Sequence, residues 1–346
     1  MRARRGALMP APASATILGC EGPVLSKDET AFFRDADPWG FILFARNVER
    51  PEQLRRLTAD LRASVGRDAP VLVDQEGGRV QRLRAPYWRE WLPPLDEVAA
   101  AGPAGFERVL WLRYRLIADE LRGVGIDADC APSADIAGPD THPFLRNRCF
   151  GTDAATVARA ARACAEGLLA GGVLPVVKHM PGHGRAVVDS HLHLPRVAAP
   201  LDELMATDFA PFAALADLPV AMSAHIVFDA LDPERPATAS PAVIGAIRDR
   251  IGFGGLLLSD DLSMAALSGT IGERADAAIT AGCDIALHCN GKREEAEAVV
   301  AASGTLGPAA SLRAEAALAR RRTTDTIDTA SREAEFEALL TGRAHG

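Results

Sequence analysis

Two carboxylates, Asp260 and Asp261, follow the apolar run Gly255-Leu256-Leu257-Leu258-Ser259. Successive residues of a strand point to opposite sides, so the two cannot face one space in the same way. One is free to act as a nucleophile while its neighbour, expected to be Asp261, caps a following helix by accepting from free backbone N–H groups. A carboxylate at a strand tip, with a proton donor opposite, is the arrangement for displacement at the anomeric carbon of a sugar through a covalent intermediate. A candidate donor lies upstream, in the loop segment Asp189-Ser190-His191. A carboxylate beside an imidazole orients the ring and stabilises its cation, as a group that gives a proton and then takes one back near neutral pH requires. Asp-x-His is common on solvated loops, so its weight comes from its neighbours.

Those neighbours are polar clusters that end other apolar runs. Asp74 follows Pro70-Val71-Leu72-Val73, Lys178-His179 follow the run from Val173, Ser223 and His225 follow Val220, and His288 and Asn290 follow Cys283. The stretch Lys178-His179-Met180-Pro181-Gly182-His183-Gly184 joins two hydrogen-bonding side chains to a backbone tightened by Pro and Gly, which suits holding donors in place. Blander roles stand beside these: His183 as a structural prop for the turn, His225 and His288 as either pocket or hydrogen-bonded core residues, His142 before Pro143 as a loop residue, and Glu76 as a brace for Arg79 or its turn.

The elements that must carry these residues alternate along the chain. Strand-like runs are Thr16–Gly19, Phe41–Phe44, Pro70–Val73, Ile126–Ala131, Val173–Lys178, Val220–His225, Gly255–Ser259 and Cys283–His288. Helix-like segments separate them, from Lys27, over Pro51–Val65, Phe106–Gly123, Asp153–Gly171, Pro241–Ile251 and Gly272–Gly282. Continuous apolar strands separated by helices imply a parallel sheet covered on both faces. Eight such units in this length predict an α/β chain forming a single (β/α)8 TIM-type barrel, in which every strand end opens on one face. Residues 1–14 are expected to be a tail and residues 15–346 one catalytic domain, with Ala/Arg/Glu-rich helices from Pro308 onward packed outside the barrel.

The 346 residues carry 38 Lys+Arg against 46 Asp+Glu, a net charge of −8, and 48% hydrophobic residues, which excludes a disordered or collagen-like chain. An acidic chain repels phosphate backbones, so no nucleic-acid partner is expected. Six widely spaced cysteines include no C-x-x-C pair and read as buried reduced thiols. Met1-Arg2-Ala3-Arg4-Arg5 begins like a signal peptide, but Pro10 and Pro12 interrupt the apolar stretch after it. With no window of about 18 apolar residues, no membrane span is expected, and the cytoplasm is the expected location.

Together, Asp74-Gln75-Glu76-Gly77-Gly78-Arg79-Val80-Gln81-Arg82, the Lys178–Gly184 stretch, Asp189-Ser190-His191 and Ser259-Asp260-Asp261-Leu262-Ser263-Met264 resemble the single-domain bacterial β-N-acetylhexosaminidases of glycoside hydrolase family three. The resemblance runs from about Leu18 to Asn290 in the same order. It implies a retaining exo-β-N-acetylglucosaminidase with Asp260 as nucleophile and His191, supported by Asp189, as general acid and base. Asp74, Arg82, Arg148, Lys178 and His179 would hold the hydroxyls of N-acetylglucosamine, with Arg146 the fallback for Arg148. A monomer that needs no metal or organic cofactor is expected. The implied substrate is a small carbohydrate, N-acetylglucosamine β-1,4-linked to anhydro-N-acetylmuramic acid bearing a peptide, processed in peptidoglycan recycling. Proteins of this kind carry the acid/base on a mobile barrel loop, and Gly182, Gly184 and Arg185-Ala186-Val187-Val188 are expected to let it swing over a bound sugar. Met180 and Cys149 depart from the family's usual Phe and Ser. Two rival readings are a metal-dependent amidohydrolase-like barrel using His191-Leu192-His193, and a barrel that binds sugars without cleaving them. In the first, H-x-H should end the first strand, whereas here it lies a dozen residues beyond the fifth.

Overall fold

The computed structural model describes residues 12–188, 193–321 and 328–341. Eight parallel strands close a barrel: β1 (Ser14–Gly19), β2 (Pro38–Leu43), β3 (Val71–Val73), β4 (Ala128–Asp129), β5 (Leu174–Met180), β6 (Val220–Ser223), β7 (Leu256–Asp261) and β8 (Ile285–His288). Each pairs with its sequence neighbours, and β1 pairs with both β2 (Leu18 opposite Phe41) and β8 (Leu18 opposite His288). The single-barrel expectation holds, with all eight strands inside or overlapping the expected runs. β1 begins at Ser14, one residue inside the stretch expected to be tail. Ser14 donates its N–H to the Asp37 carbonyl at 2.9 Å and its hydroxyl pairs with Thr16 at 2.7 Å, which draws it into the sheet.

Helices start and stop where the sequence supplies caps. Ser26 and Glu29 form a capping box ahead of Lys27–Ala36, Thr270 and Glu273 form another ahead of Ile271–Ala281, and Asp153 caps Ala154–Ala170. Two-residue alternation divides the strand side chains. Ile17, Ile42, Leu72, Val176, Met222, Leu258 and Leu287 fill the barrel interior, while Val177, Ala221 and Leu257 pack outward against helices. Continuing the inward set by two residues puts Asp74, Lys178 and Asp260 in the last layer, at the mouth.

The C-terminal segment closes the opposite end. Leu306, and Ala314 and Ala317 of the Pro308–Leu318 helix, join the interior cluster. Arg313 pairs with Asp284 before β8, and Arg321 with Asp127 before β4. The Thr329–Leu340 helix lies outside, with Phe336 edge-on to Trp91 at 5.5 Å. Among the described residues, no helix is long and apolar enough to cross a membrane.

Candidate active site

The strand tips enclose a space of about 840 Å³, open solvent included, lined by Asp74, Arg82, Arg148, Lys178, His179 and Asp260, with apolar walls that include Phe44, Phe144, Met222 and Leu287. Every described residue expected to serve catalysis or sugar binding therefore reaches one pocket. Asp189 and His191, with Ser190 and Leu192 of the loop expected to swing, lie outside the described residues. The last described residue before them, Val188, lines the pocket.

A short hairpin explains the spacing of Asp74 and Arg82. Gln75–Gly77 pairs antiparallel with Val80–Gln81, and the chain reverses at Gly77 (φ 97°) and Gly78 (φ 56°), both left-handed. A Cβ on Gly77 would also collide with the Arg113 guanidinium. The reversal brings Arg82 Nη2 to within 3.0 Å of one Asp74 oxygen, while Lys178 Nζ donates to the other at 2.8 Å. Glu76, on the same hairpin, does not brace Arg79. It takes a bidentate pair from Arg148 at 2.9 and 2.8 Å and lies 2.6 Å from Lys178 Nζ, whereas Arg79 stacks 3.9 Å over the Phe144 ring. Of the two candidates Arg148 lines the pocket, whereas Arg146 donates to the Gly138 carbonyl at 2.5 Å.

Charge sets the protonation of this cluster. Burial pushes the Asp74 carboxyl up, but Lys178 and Arg82 outweigh it and hold the group well below the usual carboxylate range. Burial likewise opposes the Glu76 carboxylate, and Arg148 and Lys178 bring it down to about 2. The Lys178 ammonium, disfavoured by desolvation, is held above its ordinary value by Asp74 and Glu76. Asp260 is also desolvated, yet His225 and the Asp261 N–H, which donates to it at 2.8 Å, keep its carboxyl below the usual value. Asp129, just beneath, behaves oppositely: burial pushes its carboxyl up to about 8, and it accepts the Gln75 N–H at 2.9 Å.

Asp261 borders the pocket but caps no helix, because the next one begins only at Ile271. Its carboxylate instead ties down the turn after β7, accepting from Ser263 N–H (3.0 Å), Ser263 Oγ (2.7 Å) and Cys289 N–H (3.2 Å). His225 is a buried core residue bonded to Thr238 Oγ1 (2.9 Å) and the Asp261 carbonyl (3.0 Å). His288 faces Glu295 at 3.3 Å, and Asn290 donates to the same carboxylate at 2.5 Å. His183 and His142 do border the pocket; burial lowers His183 to about 4.

Gly182 turns at φ 144°, and a Cβ on Gly184 would collide with the Ile136 carbonyl, so both glycines answer to turn geometry and close packing. Met180 packs in the cluster between barrel and helices, with Phe209 and Ala224, and does not line the pocket. Cys149 is buried and donates its thiol to the Leu145 carbonyl. Asp135, missed by sequence reasoning, lies behind His179 at 2.7 Å. Its signal was a carboxylate four residues past the fourth strand-like run.

The family described as glycosyl hydrolase family 3, N-terminal domain, matches residues 25–320. The chain belongs to this family. As a family 3 glycoside hydrolase it is 40% identical, over 88% of its length and 91% of the relative's, to a beta-hexosaminidase of Methylococcus capsulatus. The crystal structure of native NagZ from Neisseria gonorrhoeae superposes with a TM-score of 0.82 at 32% identity, covering 97% of this chain and 99% of that one. NagZ from the same organism, in complex with N-trifluoroacetyl-D-glucosamine, gives a TM-score of 0.81 at 31% identity over the same shares.

Proposed function

We propose that this family 3 enzyme is a retaining exo-β-N-acetylglucosaminidase. The observation that carries the reading is Asp260, an ionised carboxylate on the last inward layer of β7, opening on the same pocket as Lys178, Asp74, Arg148 and His179. Asp74, Arg82, Lys178, Arg148 and His179 bind sugar hydroxyls, and the fixed array of charges stabilises the transition state more than the ground state. In the first step Asp260 attacks the anomeric carbon while His191 protonates the departing glycosidic oxygen, leaving a glycosyl ester on Asp260. In the second, His191 takes a proton from water, whose oxygen displaces Asp260 and releases the sugar. Asp189 orients His191 and stabilises its cation. Supporting the role of His191, it lies only three residues beyond Val188, which lines the pocket. The N-acetylglucosamine preference is supported by the beta-hexosaminidase relatives and by the glucosamine derivative bound to the Neisseria structure. The natural substrate proposed is N-acetylglucosamine joined β-1,4 to anhydro-N-acetylmuramyl peptide, in peptidoglycan recycling.

The test is chromophore release from an aryl N-acetyl-β-glucosaminide, with and without chelator. Wild type should be active in both, and Asp260→Asn should lose roughly a thousandfold or more by failing to form the intermediate. His191→Ala should be impaired mainly in hydrolysing it, because an aryl leaving group needs little protonation. Wild type that binds N-acetylglucosamine without cleaving the substrate would refute the reading, and dependence on metal would favour the amidohydrolase alternative.

A further inference from the structure

Asp135 is fully buried just past β4, and its two oxygens collect four donors. Oδ1 accepts the His183 N–H at 2.6 Å, while Oδ2 lies 2.7 Å from His179 Nδ1 and 3.2 Å from Ser133 Oγ. The His179 N–H points at the same carboxylate from 3.4 Å. On the other side of the ring, Arg148 Nη2 lies 3.3 Å from His179 Nε2. A guanidinium can only donate, and an ionised carboxylate can only accept. The nitrogen facing Asp135 must therefore carry the proton, and the nitrogen facing Arg148 must carry the lone pair. The other charged groups around the ring are Lys178, its chain neighbour, Glu76, which holds Arg148, and Asp260 across the pocket; the His183 ring lies tilted to it at 5.5 Å between centroids.

We infer that Asp135 is a positioning residue that locks His179 as the neutral Nδ1–H tautomer, so that the imidazole offers the pocket an acceptor. The consequence, which rests on the proposed assignment of His179 to the sugar, is a fixed hydrogen-bond direction. A hydroxyl that displaces Arg148 Nη2 from the single Nε2 lone pair gives its proton there and receives from Arg148 or Lys178, so the site selects a group that both donates and accepts. Asn at position 135 cannot substitute. Its single carbonyl can serve His183 N–H or His179 Nδ1–H but not both, and its amide in the other place donates toward a donor or forces the proton to Nε2, against Arg148.

The experiment is a long-range proton–nitrogen correlation spectrum of the imidazoles in the full-length protein at neutral pH, with the His179 signals assigned by their loss in His179→Gln. The expected result is a protonated Nδ1 and a bare Nε2 in wild type. In Asp135→Asn that pattern should change, and KM for the aryl N-acetyl-β-glucosaminide should rise roughly tenfold, the worth of about one hydrogen bond, with kcat falling less. A proton on Nε2 in the wild-type spectrum, whether as the other tautomer or as imidazolium, overturns the inference without depending on the folding of any variant. So does an Asp135→Asn protein whose KM is unchanged. The spectrum reports on the tautomer and wild-type turnover on the glycosidase reading, so either can fail alone.

Discussion

Both ends of the barrel are built from the same materials, carboxylates at strand termini gripped by arginine or lysine, but at one end the carboxylates line an open pocket and at the other they are spent on backbone and arginines. At the bottom, Asp284 accepts the Leu257 N–H at 2.9 Å and is clamped by Arg248 (2.8 Å) and Arg313 (2.9 and 2.5 Å). Asp127 accepts the Val71 N–H at 2.8 Å and is held by Arg321 (2.5 Å) and Arg62 (3.0 Å). Each of these carboxylates is used up on the backbone and on cations that staple outer helices and the C-terminal segment to the barrel. At the top, Asp74, Glu76, Lys178 and Arg148 hold one another at the edge of an open pocket, and the cations stay charged because two carboxylates share each region of space. Charge at a strand end is thus ambiguous by itself. What separates a staple from a site is whether donors and acceptors are spent on backbone or left facing a space a ligand can enter.

The sharpest way to break this contrast is Lys178→Met, which removes the cation shared by Asp74 and Glu76. Both measures should suffer: kcat/KM on the aryl glycoside falls roughly a thousandfold, and stability drops by about 3–5 kcal/mol as buried carboxylates lose their partner. A variant that melts early but turns over normally would make the top end another staple. Asp284→Ala is the complementary cut. It strips a backbone N–H and two arginines of their acceptor, so denaturant unfolding should register a loss of about 3 kcal/mol. KM and kcat below the transition should stay within about twofold of wild type; a marked rise in KM would mean that the two ends are coupled through the barrel.

Much of this arrangement was legible in the sequence. The (β/α)8 pattern follows from apolar strand runs and helix caps such as Ser26 and Thr270, whose physics is local. The inward set Asp74, Lys178 and Asp260 was legible for the same reason, since each lies two residues past an inward apolar side chain. The same parity argues against His225 and His288, which stand at odd offsets from the inward Met222 and Leu287 and turn instead to Thr238 and Glu295. Grouping polar residues by strand end without counting parity blurred that distinction. Asp135 and the true partners of Glu76 were out of reach for a different reason. Glu76 meets Arg148 and Lys178 across 72 and 102 positions of chain, and neither local propensity nor periodicity encodes which strand end faces which.

The smallest effect in the series is also the most selective. Arg146 and Arg148 are two residues apart, and the family resemblance admits either as the sugar's arginine. The structure separates them by their acceptors: Arg148, which lines the pocket, pairs with buried Glu76, and Arg146 with the Gly138 carbonyl in the β4 loop. Arg146→Ala should cost about 1 kcal/mol of stability for that lost hydrogen bond. It should leave KM for the aryl N-acetyl-β-glucosaminide within about twofold, because no sugar contact is removed. The Gly138 loop also adjoins Gly184 through Thr141, whose N–H donates to Gly138's carbonyl and whose hydroxyl donates to Gly184's carbonyl at 2.5 Å. Loosening that loop would therefore reach the sugar only indirectly, through the turn that carries His183. A KM rise of tenfold or more in Arg146→Ala, with the melting temperature unchanged, would transfer the sugar-binding role from Arg148 to its neighbour and leave Arg148 as one more staple.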